Sequence, residues 1–315
     1  MPRTASELSP RLSFPDGVLV VDKPAGPTSH DIVAVARRMT GVKKVGHTGT
    51  LDPLASGVLP LVLGRATRLA QFLSGAEKEY DADIELGAST TTYDRAGTLV
   101  VRGQPRAVSS VTDRDVEDTV ASLRGVLLQQ PPAFSAKKID GDRAYDLARK
   151  NADLQLEAVA VTAHLLEVVA WTGTRLRVRL ICSAGFYVRS LAHEIGERLG
   201  TGAHLAGLIR TRSGDFTLDG AVSIADLDRN PAAIADRVVR LEALLPAFPA
   251  LRLTAEGIAL AGKGNFVTSR HLEGAPDLPE TGRVRLIHPD GHLVAVAVPK
   301  AVGGRRVLHP GVVLE

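Results

Sequence analysis

The stretch Gly46-His47-Thr48-Gly49-Thr50-Leu51-Asp52-Pro53-Leu54-Ala55-Ser56-Gly57-Val58-Leu59-Pro60 places one carboxylate five residues after a histidine. Its three glycines and two prolines exclude a single regular element and require a shaped loop. An Asp before a Pro is by itself a turn former. An irregular loop held against a rigid element is also where chemistry concentrates. An Asp52/His47 hydrolase would need more than this pair, and no Ser elbow, reactive Cys or metal cluster accompanies it.

Several elements must position that loop. Behind it, Val58 to Leu63 is an apolar run that predicts a buried strand, with Pro60 requiring a bulge or an edge. Upstream, Asp16-Gly17 opens a strand over residues 18–21. The loop Lys23-Pro24-Ala25-Gly26-Pro27-Thr28-Ser29 follows, and Thr28 or Ser29 caps a helix bearing Ile32, Val33, Ala36 and Met39 on one face. This strand–loop–helix matches neither the dinucleotide-binding nor the P-loop pattern. Downstream, Tyr80, Ala82, Ile84 and Leu86 alternate with Asp81, Asp83 and Glu85, as in a half-buried strand. Asp94, in a polar Thr-rich turn, reads as a solvated turn residue in preference to a second functional carboxylate. Thr112 caps a helix over 113–123. The strand 174–182 carries Arg175, Arg177 and Arg179 on one face, complementary to the acidic row, so the two strands are expected to be neighbours. Ser183 to Gly196 turns through Gly185 into a helix. Arg189 lies at the start of that helix, where the dipole disfavours a cation, and calls for a carboxylate partner.

Length, at 315 residues, allows one large domain and a small one. Residues 1–15 read as a loose arm, 16–245 as the main domain with helical residues over 222–245, and 246–315 as a β-rich unit with a Pro289-Asp290-Gly291 hairpin. Hydrophobic residues make up 44% and aromatics only 4%, so aliphatic side chains must fill the core. A single cysteine, Cys182, excludes an internal disulfide and a multi-cysteine zinc site. No apolar stretch is long enough to span a membrane, and the first residues lack a signal-peptide core, so a soluble cytoplasmic protein is expected. Net charge is only +3, but it is unevenly spread. Residues 1–75 carry nine Lys/Arg against five Asp/Glu, 76–130 six against ten, and 171–215 seven against three. One basic face suits a nucleic-acid partner. Residues 129–145 mix prolines and aromatics with Lys137, Lys138 and Arg143, ahead of a helix over 144–150; this composition suits an RNA-gripping loop or an ordinary surface loop.

Four ordered blocks resemble the TruB-type tRNA pseudouridine synthases. They are Lys23-Pro24-x-Gly26-x-Thr28-Ser29, the whole run Gly46–Leu59, Gly185-x-Tyr187-x-Arg189-Ser190-Leu191-Ala192, and Leu208-x-Arg210-Thr211-x-Ser213-Gly214-x-Phe216. Tyr80 stands in the matching Lys-x-Tyr context. The resemblance covers residues 16–220 with sharp motifs and 246–315 by order of elements alone. It implies an α/β (α+β) pseudouridine-synthase fold with a large, mainly antiparallel central sheet flanked by helices, plus a PUA-like RNA-binding appendage. It further implies conversion of a T-arm uridine of tRNA, position 55, to pseudouridine after base flipping. Asp52 is then the catalytic residue, either attacking covalently or taking a ribose proton after the bond breaks. Tyr80 stacks on the base, Tyr187 and Leu208 line the pocket, and Arg189 pairs with Asp52. A paired Arg opposes the rise in pKa that burial imposes on a carboxyl. His47 fills or grips the gap left by the flipped base. Lys43, Lys44, Lys137, Lys138 and Arg143 would hold phosphates. No cofactor, metal or guide RNA is implied, and a monomer is expected. A non-catalytic RNA-binding protein is the rival reading, against which the combined Asp52/Tyr80/Arg189 set argues.

Overall fold

A computed structural model describes residues 14–100, 104–132, 138–139, 142–143 and 157–315. Strands β1 (Gly17–Lys23), β2 (Val45–His47), β3 (Ala55–Leu63) and β4 (Lys78–Leu86) come first, with helix α1 (Ser29–Thr40) after β1 and α2 (Ala70–Ser74) before β4. A small hairpin, β5 (Ser89–Thr90) with β6 (Leu99–Val100), precedes α3 (Asp113–Ser122) and β7 (Gly125–Gln129). Strands β8 (Lys138–Ile139) and β9 (Asp142–Arg143) pair with each other. The long strands β10 (Val159–Trp171) and β11 (Arg175–Cys182), helix α4 (Val188–Leu199) and strand β12 (Ala203–Ser213) follow. Next come β13 (Phe216–Thr217), β14 (Val222–Ser223), α5 (Ile224–Arg229), α6 (Pro231–Ala235) and β15 (Val239–Arg240). The last part holds β16 (Ala250–Arg252), α7 (Ala255–Gly262), β17 (Val284–Ile287), β18 (Leu293–Val302) and β19 (Arg305–Val313).

Among the described residues, the central sheet has 11 strands, eight of them in the order β14-β1-β3-β12-β4-β11-β10-β7. Of its described pairings, only β1–β14 and β3–β12 are parallel. The fold is thus α/β with a large, mainly antiparallel sheet. Strand β3 is apolar throughout because both its faces are covered. Leu59, Leu61 and Leu63 enter the core beneath the helices. Val58 and Val62 enter a second layer shared with Ile287, Leu293, Val296 and Leu314 of the C-terminal part. A separate four-stranded sheet, β16-β17-β18-β19, carries its own core around Leu253, Leu286, Val294 and Leu308. Among the described residues, no helix is long and apolar enough to cross a membrane.

Three local features differ from the sequence reading. Pro60 needs neither a bulge nor a sheet edge. Strand β12 pairs with β3 over Ala55–Gly57 and β2 pairs with it over Leu61–Leu63, so Pro60 falls between the two partners. Its carbonyl accepts from the Thr48 N–H at 3.2 Å on that side, so its nitrogen faces the same gap, where no ladder donor is needed. The span 222–245 is not one helix: Asn230 caps α6, Pro231 opens it, and both α5 and α6 are short. The acidic and basic rows are neighbours, in the register Arg175↔Glu85, Arg177↔Asp83 and Arg179↔Asp81. Arg175 and Arg177 pair straight across at 3.3 and 2.8 Å, but Arg179 reaches diagonally to Glu79 at 2.9 Å, which Arg212 also approaches at 3.2 Å.

Gly57 shows how tightly β3 meets β12. Its φ is +101°, and a Cβ there would lie 2.3 Å from the Arg210 carbonyl oxygen. Gly57→Ala is expected to lower the unfolding free energy by about 2–4 kcal/mol, read as a fall in the urea midpoint at constant m-value.

Candidate active site

The loop between β2 and β3 is fixed from three directions. From the N-terminal side, the Ser29 hydroxyl accepts from the Leu51 N–H at 2.9 Å and donates to the Leu51 carbonyl at 3.1 Å. The Gly26 N–H donates to the Pro53 carbonyl at 2.7 Å. Lys23, fully buried, donates to the Ala55 carbonyl at 2.6 Å. The Lys23–Ser29 block therefore acts as a brace for the loop. The capping box of Thr28 and Asp31 on α1 holds the brace itself in place. From the sheet, Arg210 on β12 donates through Nη2 to the Gly49 carbonyl at 3.0 Å and through Nε to the Val58 carbonyl at 2.7 Å.

The third anchor is α4. Gln129 grips both backbone polar groups of Tyr187, at 2.7 and 2.9 Å, and so sets where α4 begins. Arg189 in its first turn then reaches Asp52 in a two-pronged pair, Nε to Oδ2 at 2.8 Å and Nη2 to Oδ1 at 3.1 Å. The guanidinium is 6% exposed and the carboxylate 34%. The partner that the helix dipole argument demanded is thus Asp52. Removing one member of such a pair strands the other charge, at a cost of about 3–5 kcal/mol.

Asp52 faces a cavity of about 470 Å³ lined also by His47, Tyr80, Tyr187, Arg189 and Leu208. The structure thus brings these six residues together, although they come from β2, the β2–β3 loop, β4, the cap and first turn of α4, and β12. Tyr80 and Leu208 are buried, Tyr187 partly so. Burial pushes the Tyr80 phenol pKa up, against the opposing charge of nearby Arg210. His47 accepts at Nδ1 from the Gly49 N–H at 3.3 Å and stands edge-on to His30. Burial first, then the nearby His30 and Arg210, holds its pKa below the usual histidine value, so it is neutral at pH 7. Lys43 and Lys44 are exposed on the turn before β2. Lys137 and the helix expected over 144–150 lie outside the described residues, and of Lys138 and Arg143 only the β8–β9 pairing is described.

Sequence reasoning missed four residues. Asp94 is not solvated. Its side chain is 9% exposed, accepts from the Thr92 hydroxyl at 2.6 Å and the Ala96 N–H at 3.0 Å, and lies 3.8 Å from Arg189. Tyr93 beside it has φ +61°, and its carbonyl accepts from the Leu205 N–H at 2.9 Å, which ties the turn to β12. Lys78, Arg210 and Thr48 also line the cavity. Two of these carried a signal, because Lys78 lies two residues before Tyr80 and Arg210 two after Leu208, hence on the same strand faces.

Lys78 donates to the Ser74 and Ala76 carbonyls, each at 2.5 Å. Burial, reinforced by Arg210, pushes its pKa down from 10.5 to about 8. The unfolded chain therefore binds more protons between those values, and stability should rise with pH across that window. Denaturation from pH 8 to 10.5 should show wild type gaining up to roughly 3 kcal/mol relative to Lys78→Met.

Comparison with known proteins identifies the family. A family model described as the TruB family pseudouridylate synthase N-terminal domain matches residues 37–188, and one described as the tRNA pseudouridylate synthase B C-terminal domain matches 189–247. A Solibacter usitatus protein named tRNA pseudouridine synthase B is 43% identical over 303 residues, covering 95% of this chain and all of that one. One of the same name from Leifsonia xyli subsp. xyli is 42% identical over 284 residues, covering 89% of this chain and 91% of its own. Among solved structures, a Cbf5–Nop10–Gar1 complex matches with TM-score 0.72 and 26% identity over 98% of this chain and 91% of the other. An H/ACA RNP bound to a substrate RNA matches in fold with TM-score 0.70 at 24% identity, over 98% of this chain and 92% of the other. With an Asp–Arg pair beneath a buried tyrosine and relatives of this similarity over nearly its whole length, the chain belongs to the TruB family of pseudouridylate synthases.

Proposed function

We propose that this protein converts a uridine in the T-arm loop of tRNA, position 55, to pseudouridine, with Asp52 as the reacting carboxylate. The observation that carries the reading is the two-pronged Asp52–Arg189 pair opening onto a cavity walled by Tyr80 and Leu208. Isomerisation breaks the N1–C1′ bond, turns the base and rejoins it through C5. It consumes no oxidant, and one ionised carboxylate suffices. Arg189 aims Asp52 through its two-pronged contact. The flipped base enters between the Tyr80 ring and Leu208, with Tyr187 closing the side, and stacking on such a ring contributes about 1–3 kcal/mol. Neutral His47 occupies the place the base leaves. The names of relatives matched along almost their full length support a tRNA substrate.

In this reading Lys43, Lys44, Lys137, Lys138 and Arg143 hold phosphates, and residues 246–315 form a PUA-like module that extends the RNA contact. The protein acts in the cytoplasm as a monomer, without cofactor, metal or guide RNA.

Asp52→Asn is expected to abolish turnover, mapped as pseudouridine in tRNA, while tRNA affinity stays within about threefold. Residual activity within about tenfold of wild type, which is 1.4 kcal/mol of barrier, overturns the assignment. Affinity for tRNA should fall linearly on a log–log salt plot, and each phosphate-binding lysine replaced by Ala should reduce the slope by about 0.7–0.9.

A further inference from the structure

The cavity holds more positive charge than its own carboxylates need. Arg189 is committed to Asp52, with Asp94 close by. Arg210, 1% exposed, and Lys78, 6% exposed, line the same cavity, and among the described residues neither has a carboxylate within 4.0 Å. Their partners are neutral. Arg210 binds the Val58 and Gly49 carbonyls, and Lys78 binds the Ser74 and Ala76 carbonyls. Each cation raises the cost of the other, as the lowered Lys78 pKa reflects. A second, independent feature lies beside them. The Thr48 hydroxyl is buried in the cavity wall and, among the described residues, has no hydrogen-bond partner. Buried hydroxyls are nearly always satisfied, and one unpaired in a cavity wall points to a ligand that completes it.

We propose that Arg210, Lys78 and Thr48 form a subsite that stabilises the uracil base as an anion while it is detached from the ribose. This subsite rests on the uridine-isomerising function proposed above. When the N1–C1′ bond breaks, its electron pair stays on uracil and spreads over N1, O2 and O4. The ribose carbon is taken by the Asp52 carboxylate, or the adjacent C2′ proton is lent to it. After the base turns, C5 bonds to C1′, the C5 proton leaves, N1 gains a proton, and Asp52 is restored. Atoms and charge close as an isomerisation. Between the two bonds the base is a rotating anion. Hydrogen bonds aimed at one atom are lost as it turns, whereas fixed charges in a water-poor wall act on it in every orientation. Arg210 sits directly across from Tyr80 in the β12–β4 ladder, so the charge and the stacking ring stay in register.

The test uses full-length protein and T-arm stem-loop RNA carrying uridine or 5-fluorouridine at the target. Fluorine at C5 makes uracil a better leaving anion and so less dependent on help. Thr48→Val, Lys78→Met and Arg210→Gln are compared with wild type by single-turnover N1–C1′ cleavage at saturating enzyme, with RNA affinity measured alongside. Thr48→Val is nearly isosteric and carries the test if Arg210→Gln fails to fold. The expected result is a loss of ~10-fold or more on uridine, a loss at least threefold smaller on 5-fluorouridine, and unchanged affinity. An equal loss on both substrates overturns the subsite in favour of plain positioning, and unaltered rates overturn it outright. A loss confined to affinity assigns the cations to phosphate and also overturns it. Wild-type protein that leaves uridine unconverted sinks the functional reading, and the subsite with it. The other three outcomes sink the subsite alone.

Discussion

The pair between Arg189 and Asp52 is the constraint around which the other elements are arranged. A guanidinium only 6% exposed is stable there because a carboxylate meets it in fork geometry, and the guanidinium in turn fixes where that carboxylate points. Each group holds the other, so neither can be placed independently. The braces follow from this. Ser29 and Gly26 fix the loop from one side, Arg210 fixes it from the sheet, and Gln129 fixes the start of α4 through Tyr187. These contacts all reduce the freedom of two side chains that have to meet within a few tenths of an ångström.

Burying charge works against stability, and this protein does so repeatedly near one cavity. Lys23, Lys78, Arg189 and Arg210 are all nearly inaccessible. Among the described residues, only Arg189 of these has a carboxylate in contact; the others are solvated by backbone carbonyls. Carbonyl dipoles lower the cost of a buried cation without cancelling its charge, so the field that remains is directed at whatever enters. The cysteine behind this cluster does not contribute to it, since burial pushes the Cys182 thiol up to about 12.

Much of this arrangement was legible from residue order. The strict alternation from Tyr80 to Leu86 and from Arg175 to Arg179 gave both the strands and their adjacency, since a period of two fixes which charges share a face. Arg189 announced its partner because a cation at a helix N-terminus is out of place unless something else holds it. What escaped reading depended on contacts between distant segments. Asp94 looks solvated in its own turn and is buried only because α4 and β12 close over it. Pro60 seemed to demand an irregularity because the change of partner along β3 is invisible in the sequence of β3 itself. Arg179 prefers the diagonal acid to the opposite one, a choice settled by side-chain reach. The helical reading of 222–245 failed at Asn230-Pro231, where a cap restarts the chain.

The parallel pairing of β3 with β12 has a consequence for how the molecule comes into being. Asp52 and Arg189 are 137 residues apart, and the strand that locks the loop, β12, follows later still. Contacts of such sequence separation are entropically costly to nucleate and form after local hairpins such as β10–β11. During synthesis the N-terminal strands emerge long before their central neighbour exists. The pocket is therefore a late product of folding, and a growing chain has no competent site until residue 213 has joined the sheet.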